Sequence, residues 1–79
     1  MTALHRACLI GDYNIILMLI QSNSDVNAVT EFNETPLHYA CKRGVPSIVH
    51  LLLQCGAKYD MKDGKGRTPL HHAAESGAV

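Results

Sequence analysis

Three histidines recur at one spacing. His5, His38 and His71 are each 33 residues apart, and each stands three residues after a threonine, Thr2, Thr35 or Thr68. Imidazole can act as general base, proton shuttle or metal ligand near neutral pH, so these residues are the first candidates for chemistry. Cys8 and Cys41 repeat at the same spacing. A zinc site drawn from Cys8, Cys41, Cys55, His50, His71 and His72 would need close ligand pairs such as C-x2-C with H-x3-H, and the chain has neither. Nucleophilic catalysis needs Ser or Cys beside a base that an acid orients; no such set stands apart from the repeated residues. Gly64-Lys65-Gly66-Arg67-Thr68 fails as a phosphate loop, because that motif puts Lys directly before Ser or Thr and a strand ahead of the loop. The alternative role for the recurrent histidine is structural: an imidazole bonded to the threonine three residues before it and to nearby backbone. With these motifs incomplete, we expect no catalytic residue, no metal ligand and no cofactor.

The histidines belong to a longer repeat. Residues 2–34 and 35–67 agree at nine of 33 positions, and residues 68–79 match 35–46 at six of twelve. Self-similarity at a fixed period marks a repeat architecture. The expected units are repeat 1 at residues 1–34, repeat 2 at 35–67 and a partial repeat 3 at 68–79. Each reads as two short helices. Thr35 caps the first, and Pro36 suits the first helical position, where a missing N–H costs nothing. Leu37, Ala40 and Cys41 then form an apolar stripe at i, i+3, i+4. Gly44 supplies a left-handed stop. Pro46 opens the second helix, with core positions Ile48, Val49, Leu52 and Leu53 matching Ile15, Ile16, Leu19 and Ile20. Where the second unit has Gly56 and Gly66 the first has Asn23 and Asn33, the usual alternative at positive φ. Extended arms and a tight turn are expected between the second helix and the next threonine, as at Asp63-Gly64-Lys65-Gly66.

A 33-residue period carrying Thr35-Pro36-Leu37-His38-Tyr39-Ala40, then Gly44, Gly56-Ala57 and Asp63-Gly64, resembles the ankyrin repeat. The likeness covers essentially the whole chain. The first unit departs from it at Ala3, Asn23 and Thr30, which affects turn and cap details. The resemblance implies an all-α fold: an ankyrin-repeat solenoid of helix-turn-helix pairs with projecting β-turn loops. It also implies a structural role for the recurrent histidine, and a protein–protein interaction module or scaffold as the function. Asp25-Val26-Asn27, with Leu19 eight residues earlier, resembles the segment of ankyrin repeats recognised by the oxygen-sensing asparaginyl hydroxylase, which makes Asn27 a candidate modification site.

In that family the partner is held by the turn tips and the exposed end of each first helix. Carried over, the candidate contacts are Leu9 and Ile10, Lys42 and Arg43, and Glu75 and Ser76 at the helix ends. Val29, Glu31, Phe32 and Glu34, then Lys62, Gly64, Lys65 and Arg67, occupy the turns. Phe32 is the only Phe, and aromatic and Arg residues dominate interface hot spots. Lys42, Arg43, Lys62, Lys65 and Arg67 are expected to gather on one side, with Glu31 and Glu34 flanking, and to suit an acidic segment of a partner. A second reading makes the chain a regulatory part of a larger enzyme or channel. A third, a metal- or ligand-binding module, would show a bound stoichiometry near one by native mass spectrometry.

Bulk properties narrow the class. With 79 residues and formal net charge +0, the chain lacks the basic excess of a sequence-independent nucleic-acid binder. No apolar run nears the roughly 18 residues of a membrane span, and nothing reads as a signal peptide. Helices packed about 8–10 Å apart hold Cys8 and Cys41 too far apart for a disulfide, and buried thiols fit the cytoplasm or nucleus. In such compartments Asn33-Glu34-Thr35, formally a glycosylation acceptor, goes unused. Repeat units bury their apolar faces against neighbours and need about three or more for stability. Flanking repeats or another chain are therefore expected to cover the ends. The expected outcome for the isolated 79-residue chain is a low, shallow thermal transition by circular dichroism; a cooperative, high-temperature transition of a monomer contradicts it.

Overall fold

A computed structural model describes residues 1–76, and for residues 75 and 76 the backbone alone. Five helices follow in order: α1 (Ala3–Ile10), α2 (Tyr13–Gln21), α3 (Pro36–Arg43), α4 (Pro46–Gln54) and α5 (Pro69–Ser76), with no strand among the described residues. Local chemistry sets their limits. Thr2 and Thr35 hold extended backbone, and each hydroxyl accepts the N–H of the histidine three residues on. That histidine's ring accepts the threonine N–H in return, so two backbone donors at each helix start are satisfied by one reciprocal pair. Gly11 and Gly44 end α1 and α3 in the left-handed region, at φ 86° and 71°. Asn23 and Asn33 take positive φ as Gly56 and Gly66 do, so the substitutions keep the backbone path. Asp12 caps α2 by accepting from Asn14 and Ile15, whereas α4 starts on Pro46 without a side-chain cap.

Packing follows from the stripes. α3 lies between α1 and α5 and also contacts α4; α2 packs on α1 and α4. The first helices bury Leu4, Ala7, Cys8, Leu37, Ala40 and Cys41; the second helices bury Ile16, Ile48, Leu51 and Leu52. Ala and Cys in the first set are small enough to let neighbouring helices approach closely. Burial of each large aliphatic side chain in this core contributes about 1.5–3 kcal/mol.

The turns project from the ends of these helix pairs. Thr30 N–H donates to the Glu34 carbonyl at 3.0 Å and Asp63 N–H to the Arg67 carbonyl at 2.9 Å. The Gly64 N–H donates to the Phe32 carbonyl at 2.8 Å, joining one turn to the next. A Cβ on Gly64 would lie 3.2 Å from that same oxygen, so the close approach favours glycine there. Thr30 substitutes for the turn aspartate: its hydroxyl accepts from Phe32 and Glu34 as the Asp63 carboxylate accepts from Lys65 and Arg67.

Several expected core positions are not core. Ile15 is 47% exposed although its counterpart Ile48 is 0% exposed. Leu53 is exposed, and Val49, Leu19 and Ile20 are half-buried. Leu4 and Leu37 share one environment at 1% exposure, but Leu70, in the same register, is 66% exposed. The reason is that a solenoid side chain is buried by the adjacent unit as much as by its own. Ile15 and Met18 face one end of the stack, Leu53 and Leu70 the other. Equivalent mutations should therefore differ. Leu37→Ala is expected to cost about 2–5 kcal/mol in urea denaturation, whereas Leu70→Ala should stay within about 0.5 kcal/mol of the parent chain.

Candidate interaction surface

The recurrent histidines use both ring nitrogens. In His5 and His38 the Nδ1 accepts from the cap threonine, by its N–H at 3.2 and 3.0 Å and its hydroxyl at 2.8 Å in both. The proton therefore sits on Nε2, which donates to the carbonyl of Glu34 at 2.8 Å from His5 and of Arg67 at 3.0 Å from His38. Each ring thus ties its own helix cap to the turn 29 residues further on. His71 is exposed, and its N–H donates to the Thr68 hydroxyl.

The fold assembles one cluster that the spacing concealed. His38, Asp63 and His72 are all buried, with candidate ligand atoms within 4.8 Å of one another. In the structure these groups are bonded to one another and to the backbone of the turn. The His38 Nε2 lone pair is replaced by the proton given to Arg67. Asp63 Oδ1 accepts the N–H groups of Lys65 and Arg67, each at 2.9 Å. Asp63 Oδ2 faces His72 Nε2 at 3.1 Å and Arg67 Nε at 3.3 Å. Burial works to raise the Asp63 pKa, but the Arg67 N–H, His72, the Lys65 N–H and the Arg67 charge outweigh it and hold the carboxyl far below its ordinary range. Burial lowers His38, because the charged imidazolium loses water.

Beside this junction an open hollow of about 420 Å³ lies against the turn tips, lined by Phe32, Glu34, Lys42, Asp63, Gly64, Lys65 and Arg67. Lys42 Nζ donates to Glu34 Oε2 at 2.7 Å and lies 5.3 Å from the Tyr39 ring centroid, while the Tyr39 hydroxyl donates to Glu34 Oε1 at 2.8 Å. Burial would raise Glu34, yet the bonds from Lys42 and Tyr39 bring its pKa below the ordinary value. A second hollow, of about 350 Å³, is lined by Met1, Thr30, Glu31, Phe32 and Tyr39. Phe32 lines both hollows and is 65% exposed. It does not fold back onto its neighbouring turn.

The structure brings Phe32, Glu34, Lys42, Lys65 and Arg67 together and adds Glu31 through the second hollow. It separates the others. Arg43 donates to the Ile10 carbonyl from Nε at 3.3 Å and from Nη2 at 3.2 Å, fastening the end of α3 to the end of α1. Lys62 is exposed but lines neither hollow. Leu9 and Ile10 are exposed at the end of α1. Glu75 and Ser76 end α5, and their side chains lie outside the described residues. Asn27 bridges two units: its Nδ2 donates to the Gly56 carbonyl at 3.2 Å and its Oδ1 accepts the Lys58 N–H at 2.8 Å. Sequence reasoning weighed His72 only as a zinc ligand and Asp63 only as a turn residue, and did not single out Tyr39 as site-forming. The adjacent pair His71-His72, following an Asp-Gly turn, was the one available signal for two of them.

The sequence profile of ankyrin repeats, in three copies, matches residues 4–79. The chain belongs to the ankyrin-repeat family. No curated protein matches the chain.

These pKa directions set an acid response. The unfolded chain takes up a proton at His38 near 6.5, while the folded chain holds it neutral to a lower pH. Stability from this group is present above about 6.5 and is lost as pH falls below it. Asp63 is ionised in the fold below its ordinary 3.8, so its contribution is present above that value and is lost on further acidification. Urea titrations at several pH values should show stability falling from pH 6.5 downward. His38→Gln keeps a capping-box acceptor and should flatten that slope where it begins, just below pH 6.5.

Proposed function

We propose that this chain is a protein-binding module that grips its partner through the turn tips and the adjoining end of α3. The family's repeats are generally protein–protein interaction modules. The observation that supports this surface is Phe32: an aromatic ring 65% exposed, shared by two hollows and held by a turn whose backbone is bonded to the next. A rigidly presented aromatic side chain is a typical interface anchor. The hollow beside it holds Lys42, Lys65 and Arg67 against Glu34 and Asp63, three cations to two carboxylates, or one positive charge in excess. Lys42 is already paired with Glu34 and Arg67 with Asp63. The partner segment we infer therefore offers an apolar group to Phe32 and a carboxylate to Lys65, with a modest electrostatic gain in on-rate.

The chain carries no catalysis of its own in this reading. The rings of His5 and His38 are committed to caps and carbonyls, and burial pushes the Cys8 and Cys41 thiols up to about 12 and 11, where they are protonated and unreactive. Buried free thiols also support a reducing cytoplasm or nucleus. The apolar side chains open at both ends of the stack support cover by flanking repeats or another chain. Asn27 is our proposed site of side-chain hydroxylation; its amide is bonded to the neighbouring loop, so an enzyme would need that loop to open.

Affinity capture with the wild-type chain, with the Phe32→Ala chain as control, identifies the partner. Calorimetry should then show Phe32→Ala and Lys65→Glu each weakening binding by roughly 1–3 kcal/mol. Unchanged affinity in both variants would discard this surface.

A further inference from the structure

The second junction of the stack is built around one imidazole bonded on both sides. The His38 ring is buried. Its Nδ1 accepts the Thr35 N–H that opens α3, and its Nε2 donates to the Arg67 carbonyl. That carbonyl also accepts the Asp63 N–H, which closes the turn, and the adjoining Gly64 N–H donates to the Phe32 carbonyl. One ring thus fastens the start of α3 to the turn that carries Lys65 and borders Phe32. From α5 the His72 ring meets His38 edge-on, with centroids 5.5 Å apart, and His71 stands 6.4 Å from His72. From the turn come Asp63 and Arg67, and from ahead of α3 comes Glu34. α1 brings His5, which lies edge-on to Tyr39, the buried thiol of Cys8 and an exposed Arg6. His50 of α4 is exposed.

We propose that this junction is an acid-operated latch: a proton taken up by His38 drives the ring out of the junction, uncaps α3 and releases the Asp63–Arg67 turn from it. Nε2 already carries a proton, so the new one goes to Nδ1. The Thr35 hydroxyl can rotate to accept it, but the Thr35 N–H at 3.0 Å is then donor against donor. The charge also stands at the N-terminal end of α3, where the helix dipole is positive, and beside His72. Asp63 offsets this only in part, because its Oδ2 already faces His72 Nε2 and Arg67 Nε. Burial is the largest influence on the ring, and it too favours the neutral form. An imidazolium is therefore better held in water than in the junction, and on leaving it gives up the Arg67 carbonyl together with the cap. Loss of that tie frees Lys65 to move relative to Phe32. Acid thereby takes apart the turn-tip surface while the α1–α2 unit stays folded. The effect on partner binding rests on the turn-tip reading of function; the latch itself does not.

Amide hydrogen exchange followed by NMR on the 79-residue chain tests the latch, from about pH 7.5 to about pH 5, with rates corrected for the intrinsic pH dependence of exchange. Protection of the Thr35 and Gly64 amides is expected to fall together below pH 6.5, by up to about tenfold per pH unit, the slope of a single proton. The Ile16 amide, bonded to the Asp12 carbonyl in α2, should change less than about twofold over the same range. His38→Gln keeps an acceptor for the cap and cannot take the proton, so its Thr35 and Gly64 protection should not vary with pH. The parent chain decides even where that variant fails to fold: constant protection at Thr35 and Gly64, or an equal loss at Ile16, overturns the latch. An unaltered fall in folded His38→Gln overturns it as well. No partner is present in this measurement, so a failed latch leaves the turn-tip surface standing, and calorimetry of Phe32→Ala at neutral pH tests that surface alone.

Discussion

In this fold one imidazole does two structural tasks. It accepts from the threonine that opens its own helix, and it donates to a carbonyl in the turn leading into the next unit. Both bonds form only if the ring is neutral with its proton on Nε2. The histidine therefore couples a local event, helix initiation, to a long-range one, the placing of the next turn. Geometry supplies the rest. The turn carbonyl from Glu34 or Arg67 directly precedes the next cap threonine, so each ring positions the start of the following helix. Buried polar groups of this kind are costly when unpaired and rigidifying when fully bonded, which explains why the arrangement orders the stack rather than weakening it.

From that constraint follows the division of labour along the chain. Helix interiors carry small residues where first helices meet, and large aliphatic residues where second helices meet. The turns are left with residues that packing does not dictate. Two of them became specialised. Thr30 and Asp63 hold equivalent turns, but the carboxylate of Asp63 does more than the hydroxyl of Thr30, because it also reaches His72 and Arg67. The second junction is consequently the more strongly ionic one and the more sensitive to acid. Phe32, by contrast, has its backbone fixed by the Gly64 bond while its ring stays in solvent. A turn that is rigid in the main chain and open in the side chain is well suited to meeting another protein.

Charge tells a similar story. Five cations near the turn tips look like a basic patch when read along the chain. In space, Lys42 belongs to Glu34, Arg67 to Asp63 and Arg43 to the Ile10 carbonyl. Their charges hold the scaffold together and leave a surface that is only slightly positive. An exposed ion pair contributes little to stability, but these pairs orient Tyr39 and the turn, and so shape the hollow beside Phe32.

The sequence by itself determined the period, the helix starts and stops, the positive-φ sites at Asn23 and Asn33, and the all-helical ankyrin stack, because each rests on contacts within a few residues or on strict recurrence. It also marked Phe32 as the unusual side chain. It did not show that Ile15, Leu53 and Leu70 would be open, since burial in a stack depends on a neighbour that the residue's own pattern does not contain. Nor could spacing reveal that His38, Asp63 and His72 meet, that Arg43 reaches back to Ile10, or that Asn27 bridges to Gly56 and Lys58. Those pairings span 9 to 34 residues. Only the tertiary structure decided them, because the superposition of one unit on the next brings together groups that the chain keeps apart.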